Sequence, residues 1–460
     1  MKRWSLIKIF AAVMLAGAAL IALGTRAQPS SRQLFLLGGI QVNEPDDDRW
    51  FQALLDTKMN SVAVTVYAKQ GDWDSDNLWH DDDESGLIKE IRGAKARGLH
   101  VVLILRVALD HAFPRNRFLW HGLIMPKSDE LLDSWFAKYR GFVNKWAKVA
   151  EAEDVDVFGI GSEMNALAST ASVDALPNLE HYYLDVVTQE LRKTEILTHK
   201  GDISSDHLYA SGGIAFKDLD SYLDAQTSEL QEWARAIAGQ NQGQTVGHIN
   251  RRRSRLESQW REIIGQVRNI YRGDVTYAAN FDQYQDVAFW DALDFIGVNA
   301  YFPLREPVPS ATPTDLDEEL TAGWKRILGE LQTFRVTNRL QEKSFLFTEI
   351  GYTYRKNTTL APWARSGFTL LESATPHHLI VWDDEPLDFT ERAAAVRALY
   401  EANQEIEKEL GRKGRELLAG LLYWKLSTQP SHLDIEPFVH ILSASPSDDP
   451  LSQEWTRFIE

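Results

Sequence analysis

VDVFGIGSEMN, residues 155–165, decides the fold. Its first seven positions form a short run that is too brief for a helix and is followed by a carboxylate, Glu163, rather than by a turn residue. Such a run between polar stretches reads as a strand buried on both faces, as in a parallel sheet. Seven further runs share the design: QLFLLGGI (33–40), SVAVTVY (61–67), HVVLILR (100–106), DVTYAAN (274–280), DFIGVNA (294–300), KSFLFTE (343–349) and LAGLLYW (418–424). Amphipathic segments lie between them, at 84–97, 129–152, 315–333 and 390–410, the last with Thr390 as its expected N-cap. Eight strands alternating with helical sequence predict an α/β fold of the (β/α)8 TIM-barrel type.

The connection between the fourth and fifth strands is too long for a single helix. It reads as the fourth ring helix followed by an inserted helical pair at about 200–270, within a longer polar stretch from 185 to 272. Residues 33–460 then make one catalytic-type barrel with that insertion. Residues 1–27 are set apart: a basic start, the apolar run 9–24 and a polar flank are the pattern of an export signal. Cleavage and release to the periplasm or outside the cell is the expected outcome. Retention as an inner-membrane anchor is the alternative, because the run is intermediate in length.

Bulk properties exclude several classes. The net charge of −17 repels phosphate backbones, so no nucleic-acid partner is expected. The chain has no cysteine, which removes disulfides, thiolate metal sites and a cysteine nucleophile. Neither HxH nor HExxH spacing occurs, so neither metal nor cofactor is expected. The segment DWDSDNLWHDDDE (72–84) imitates a calcium loop, but Asn77 stands where the turn requires glycine and Asp83 where it requires glutamate. An acidic loop at the barrel mouth, with Trp73 and Trp79 offered to a sugar, is the preferred reading.

In such barrels the chemistry sits where strands end. The polar residues at those ends include Tyr67 and Lys69, Arg106, Glu163, Asn280, Asn299 with Tyr301, Glu349 and Trp424. Glu163 and Glu349 close the fourth and seventh strands, opposite one another across the mouth. Either could be a helix-opening charge on its own. Together they form the carboxylate pair that glycoside cleavage requires, one protonating the departing oxygen and the other attacking the anomeric carbon or activating water. A cation and a phenol, Arg106 and Tyr301, would keep one carboxylate ionised, while the other, in a less charged setting, holds a proton near neutral pH.

Several stretches resemble glycoside hydrolase family 113, the β-mannanase family: FLWHGLI (118–124), WFAKYRGFVNKWAKVAE (135–151), FGIGSEMN (158–165), VTYAANFDQYQDVAFWDALDFIGVNAYFPL (275–304) and FLFTEIGY (345–352). The resemblance implies a retaining (β/α)8 glycosidase with Glu163 as acid/base and Glu349 as nucleophile. It implies Tyr301 as the nucleophile's hydrogen-bond partner and Trp424 as the aromatic floor beneath the sugar. Trp120, Asn280 and Asn299 fall at substrate-contacting positions. Ser162 departs from the wider clan, which usually has asparagine directly before the acid/base, and this leaves open which group reads the sugar 2-hydroxyl. The expected substrate is a β-linked hexose oligo- or polysaccharide, with β-mannan first. A non-catalytic glycan-binding barrel and a membrane-anchored envelope protein are the alternatives.

Overall fold

The computed structural model describes residues 34–80, 84–168, 210–211, 214–241, 246–305, 315–363, 368–371, 379–382, 386–411 and 415–459. The proposed leader, and the part of the acidic segment at 81–83, lie outside them. Among the described residues no helix is long and apolar enough to cross a membrane.

Eight parallel strands form the barrel: β1 (Leu36–Gln41), β2 (Ser61–Gln70), β3 (His100–Leu109), β4 (Val157–Ser162), β5 (Asp274–Asn280), β6 (Ile296–Asn299), β7 (Phe345–Ile350) and β8 (Leu418–Ser427). Each pairs with its neighbours in sequence, and β1 pairs with both β8 and β2, which closes the ring. Closure leaves no barrel edge unpaired. All eight strands expected from the sequence are present, several running further at the end that faces the site.

Two apolar shells follow from the pleat. Leu36, Ile40, Ala63, Val102, Ile104, Val157, Ala278, Leu346, Ala419 and Leu422 fill the barrel interior. The alternate residues of the same strands meet the helices in a larger outer core. That two-sided burial is why the strands read as unbroken apolar runs.

The ring helices are α1 (Asp47–Asp56), α2 (Ser85–Ala96), α3 (Asp129–Ala152), α5 (Val246–Ile270), α6 (Leu316–Thr337) and α7 (Phe389–Leu410), with α4 (Leu219–Asn241) added between β4 and α5. The cap of α7 is Asp388 rather than Thr390: its carboxylate accepts from the Thr390 and Glu391 amides, and a charged acceptor suits the helix N-terminus better than a hydroxyl. No α-helix follows β5. Residues 281–295 leave room only for two 3₁₀ turns, and the rings of Phe289 and Trp290 cover the sheet there.

In the long connection the ring helix comes last. Leu256, Trp260, Ile263, Ile264 and Val267 give α5 one apolar face, and Trp260 lies edge-on to Phe136 and Tyr139 of α3 and stacks on Phe289. The added helix α4 instead covers the loop after β3. Trp233 packs against Trp73 with ring centres 6.1 Å apart, Glu229 pairs with Arg117, and Glu232 pairs with Arg115.

Candidate active site

Counting by twos along each strand carries the interior phase to the mouth. Arg106 lies two residues beyond Ile104, Asn280 two beyond Ala278 and Trp424 two beyond Leu422, so all three side chains point inward above the barrel core. Strict alternation fails for Glu349, one residue out of phase with Leu346, while steps of two from Val157 reach Glu163 only across a break in the ladder. The pairing register of β4 shifts between Gly159 and Ser162, and that of β7 shifts between Phe347 and Glu349. An irregularity of this kind re-aims a side chain. Glu163 additionally adopts φ +51°, the left-handed region that is unfavourable for a non-glycine residue. Its amide still donates to the Ala278 carbonyl at 2.8 Å, and the Tyr277 hydroxyl accepts from the Met164 amide at 2.9 Å, so the strained turn is held from both sides.

Glu349 is almost fully buried, and each carboxylate oxygen has a different partner. The Tyr301 hydroxyl donates to Oε2 at 2.7 Å, and the Arg106 guanidinium forms an ion pair with Oε1. Burial pushes the Tyr301 phenol well above its ordinary value, so it stays a donor throughout the working pH range. Arg106 also lies over the Trp424 ring, 4.8 Å from its centre, and Lys425 Nζ is 3.8 Å from the same ring. The intervening Trp424–Lys425 peptide is cis. Gly351, two residues beyond Glu349, is required because a Cβ there would lie 2.4 Å from the Trp424 carbonyl.

Glu163 has a different partner, one that the sequence did not single out. His121 Nε2 lies 3.1 Å from Glu163 Oε2. Burial alone would raise the Glu163 carboxyl, but the His121 contact, with help from Arg106 and Asn299, outweighs it and holds the group at about 2. The expectation that one glutamate sits in a less charged setting and keeps its own proton near neutral pH is therefore corrected. The group placed to exchange a hydrogen bond with that carboxylate is the His121 imidazole. The sequence signal was the tripeptide WHG: a Cβ on Gly122 would collide with the Trp120 ring, so the glycine lets Trp120 fold over and leaves His121 facing Glu163. The Trp233 indole of α4 donates to the Leu123 carbonyl at 3.4 Å, within the same turn. The insertion thus buttresses the loop that delivers His121.

The remaining residues divide. Trp120 is half-buried beside His121, with ring centres 5.0 Å apart. Asn280 borders the mouth, but its Oδ1 accepts from the Phe281 amide at 3.0 Å. Asn299 is wholly buried; its amide donates to Ser162 Oγ at 3.3 Å and accepts from Thr348 Oγ1 at 2.8 Å, tying β4, β6 and β7 together beneath the glutamates. Neither Ser162 nor Asn299 is open to the cleft. Tyr67, level with Arg106 in the strand pairing and 45% exposed, is a further inward-facing group at a strand end, outside the residues expected to contact substrate.

Of the two rings of the acidic segment, Trp73 is not presented to the cleft as expected. Trp73 is buried against Trp233, and Trp79 is half-buried and tilted against Phe113. Asp74 pairs with Arg115, and Asp76 with Lys138 and Ser134, so these carboxylates serve to anchor the loop. His111 is likewise engaged locally, with Nδ1 2.9 Å from the Asn116 carbonyl.

A closed (β/α)8 barrel whose mouth holds two buried glutamates with unlike partners is the frame of a glycosidase. The chain belongs to glycoside hydrolase family 113, whose family model matches residues 41–175 and 227–376. Among solved structures, the family 113 β-mannanase of Alicyclobacillus acidocaldarius, determined in complex with ManMIm, is 16% identical with a TM-score of 0.54, covering 93% of this chain and 98% of that one. A family 113 β-1,4-mannanase is 18% identical with a TM-score of 0.53, covering 92% and 98%. At these identities the likeness shows a shared fold. No curated protein matches the chain. The family makes the protein a glycoside hydrolase acting on an oligo- or polysaccharide.

Proposed function

We propose that the protein is a retaining hydrolase of β-linked hexose chains, with β-mannan as the preferred substrate. One observation carries the reading: Glu349 is held by a phenol and a guanidinium, whereas Glu163 shares a hydrogen bond with an imidazole. A carboxylate kept anionic by Arg106 and Tyr301 suits attack on the anomeric carbon. As Glu349 bonds to C1, its negative charge is consumed, and Glu163 delivers the proton drawn from the Glu163–His121 pair to the departing oxygen. The order then reverses. Glu163 removes a proton from water, the oxygen of that water bonds to C1, and the C1–Glu349 bond breaks to restore the carboxylate. Trp424, whose ring lies near Arg106 and Lys425, is the aromatic floor beneath the sugar.

Membership of a family whose solved members include β-mannanases supports mannan over other β-linked polymers. The basic start and apolar run of residues 1–27 support export. The test is to incubate the wild type and Glu349→Gln with a panel of β-linked oligosaccharides and follow the anomer released by NMR. Cleavage of β-mannosides with retained configuration, abolished in the variant, is the expected result. Inverted product, or equal inertness of both proteins, would overturn it.

A further inference from the structure

Trp363 is one of the large apolar side chains that the fold leaves open, with 47% of its surface exposed. A ring of that size is normally covered, and this one is not loose. It stacks on Phe281, with centroids 5.4 Å apart and planes 15° from parallel, and Phe281 meets Phe302 edge-on at 5.6 Å. Both supporting rings are tied to the active site through the backbone. Phe281 directly follows Asn280 at the end of β5, and Phe302 directly follows Tyr301, the hydrogen-bond partner of Glu349.

The backbone leading to Trp363 is fixed as well. Glu391, buried in the first turn of α7, accepts from the amides of Asn357 and Thr359 at 2.8 and 3.0 Å and from the Thr359 hydroxyl at 2.6 Å. Arg305 neutralises the same carboxylate at 2.7 Å and donates to Thr359 Oγ1 at 2.8 Å. Ala361, two residues before the indole, is buried. A flat, amphipathic ring is therefore held rigidly on the loop that follows β7, on the rim from which Asn280 and Tyr301 reach inward.

We propose that Trp363, backed by Phe281 and Phe302, is a distal sugar-binding platform that takes one hexose unit of a β-linked chain whose cleaved bond lies between Glu163 and Glu349. The alternating C–H bonds on one face of such a pyranose present an apolar surface to an indole, while its hydroxyls stay in water. Pre-organisation matters here, because a ring already fixed loses little side-chain freedom on binding. A platform away from the reacting bond serves substrates long enough to span both places. The enzyme then cuts within chains, and its preference rises with chain length. This inference rests on the proposed hydrolase reading for the location of the cleaved bond.

The test uses the full chain in two forms. In the Glu349→Gln background, isothermal titration with β-1,4-mannohexaose and β-1,4-mannotriose compares Trp363 with Trp363→Ala and Trp363→Phe. In the active background, the kcat/KM ratio of hexaose to triose is measured for the same substitutions. Loss of one ring face of apolar contact predicts that Trp363→Ala weakens hexaose binding about tenfold and lowers that ratio about tenfold, with Trp363→Phe recovering most of both. Equal affinity of the Trp363 and Trp363→Ala proteins for the hexaose, or an equal loss on both chain lengths, would overturn the platform. Hexaose binding that depends on Trp363 without any turnover would preserve the platform and refute the hydrolysis reading instead. Absence of hexaose binding in every form would overturn the platform for mannan.

Discussion

Replacing Tyr301 by phenylalanine removes one oxygen from the active site and little else. The ring it leaves behind still packs edge-on near Phe438, with centres 6.2 Å apart, so no cavity opens. What is lost is the 2.7 Å hydrogen bond to Glu349 Oε2. Tyr301 is 8% and Glu349 2% exposed, so water cannot readily take the donor's place. A hydrogen bond to a charged group is worth about 1.5–3 kcal/mol, and at about 1.4 kcal/mol per decade that is roughly a 10- to 150-fold loss in kcat/KM. The upper part of that range is expected because the site is dry. Complete inactivation is not expected, because Arg106 still holds Oε1. The assay is reducing-sugar release from β-1,4-mannohexaose, with thermal unfolding measured in parallel. A Tyr301→Phe enzyme with native stability and kcat/KM within about twofold of wild type would show that the phenol does not serve the nucleophile.

Two further outcomes follow from buried charge. For Glu163 the fall from an ordinary 4.5 to about 2 corresponds to about 3 kcal/mol of stability, present above pH 4.5 and lost as the pH falls toward 2. In His121→Asn the depression shrinks, so urea unfolding should show the variant less stable than wild type at pH 6 and the gap narrowing below pH 4.5 and closing toward pH 2. A gap of constant size would dissociate His121 from the Glu163 carboxylate. On the far side of the ring, Asp449 is held at about 2 because His440, at 2.7 Å, and Arg392 outweigh its burial. Asp449→Asn strands the fully buried Arg392 guanidinium and should cost about 3–5 kcal/mol at pH 7, read as a marked fall in Tm; a loss under about 1 kcal/mol would mean that the cation finds another partner.

The barrel was legible because burial on both faces leaves a mark that does not depend on distant partners. Each of the eight strands is a continuous apolar run, and the polar residue closing each run names the mouth. Glu163, Glu349, Arg106, Tyr301 and Trp424 could be found in this way because they sit at strand ends. His121 could not, since it lies in the loop after β3, where a histidine has no periodic pattern to mark it. Nor could the difference between Trp73 and Trp363. Both lie in polar loops, yet one is buried beneath α4 and the other stands open on Phe281.

By itself, then, the sequence determined the class of fold, the order of its strands and the two carboxylates, through local periodicity and chain punctuation. The tertiary structure decided the rest. The register shift in β7 aims Glu349 where alternation would not, and the break in β4 with the left-handed turn at Glu163 sets the aim of the other glutamate. Packing chose α5 over α4 as the ring helix, because the face carrying Trp260 fits the aromatic side chains of α3 and β5. The state of each carboxylate was set by partners that are remote in sequence. Arg106 and Tyr301 come from β3 and the loop after β6 to Glu349, and His121 comes from the loop after β3 to Glu163. Electrostatics in a buried site depends on a few ångströms of separation, and only the closed ring brings those groups that near.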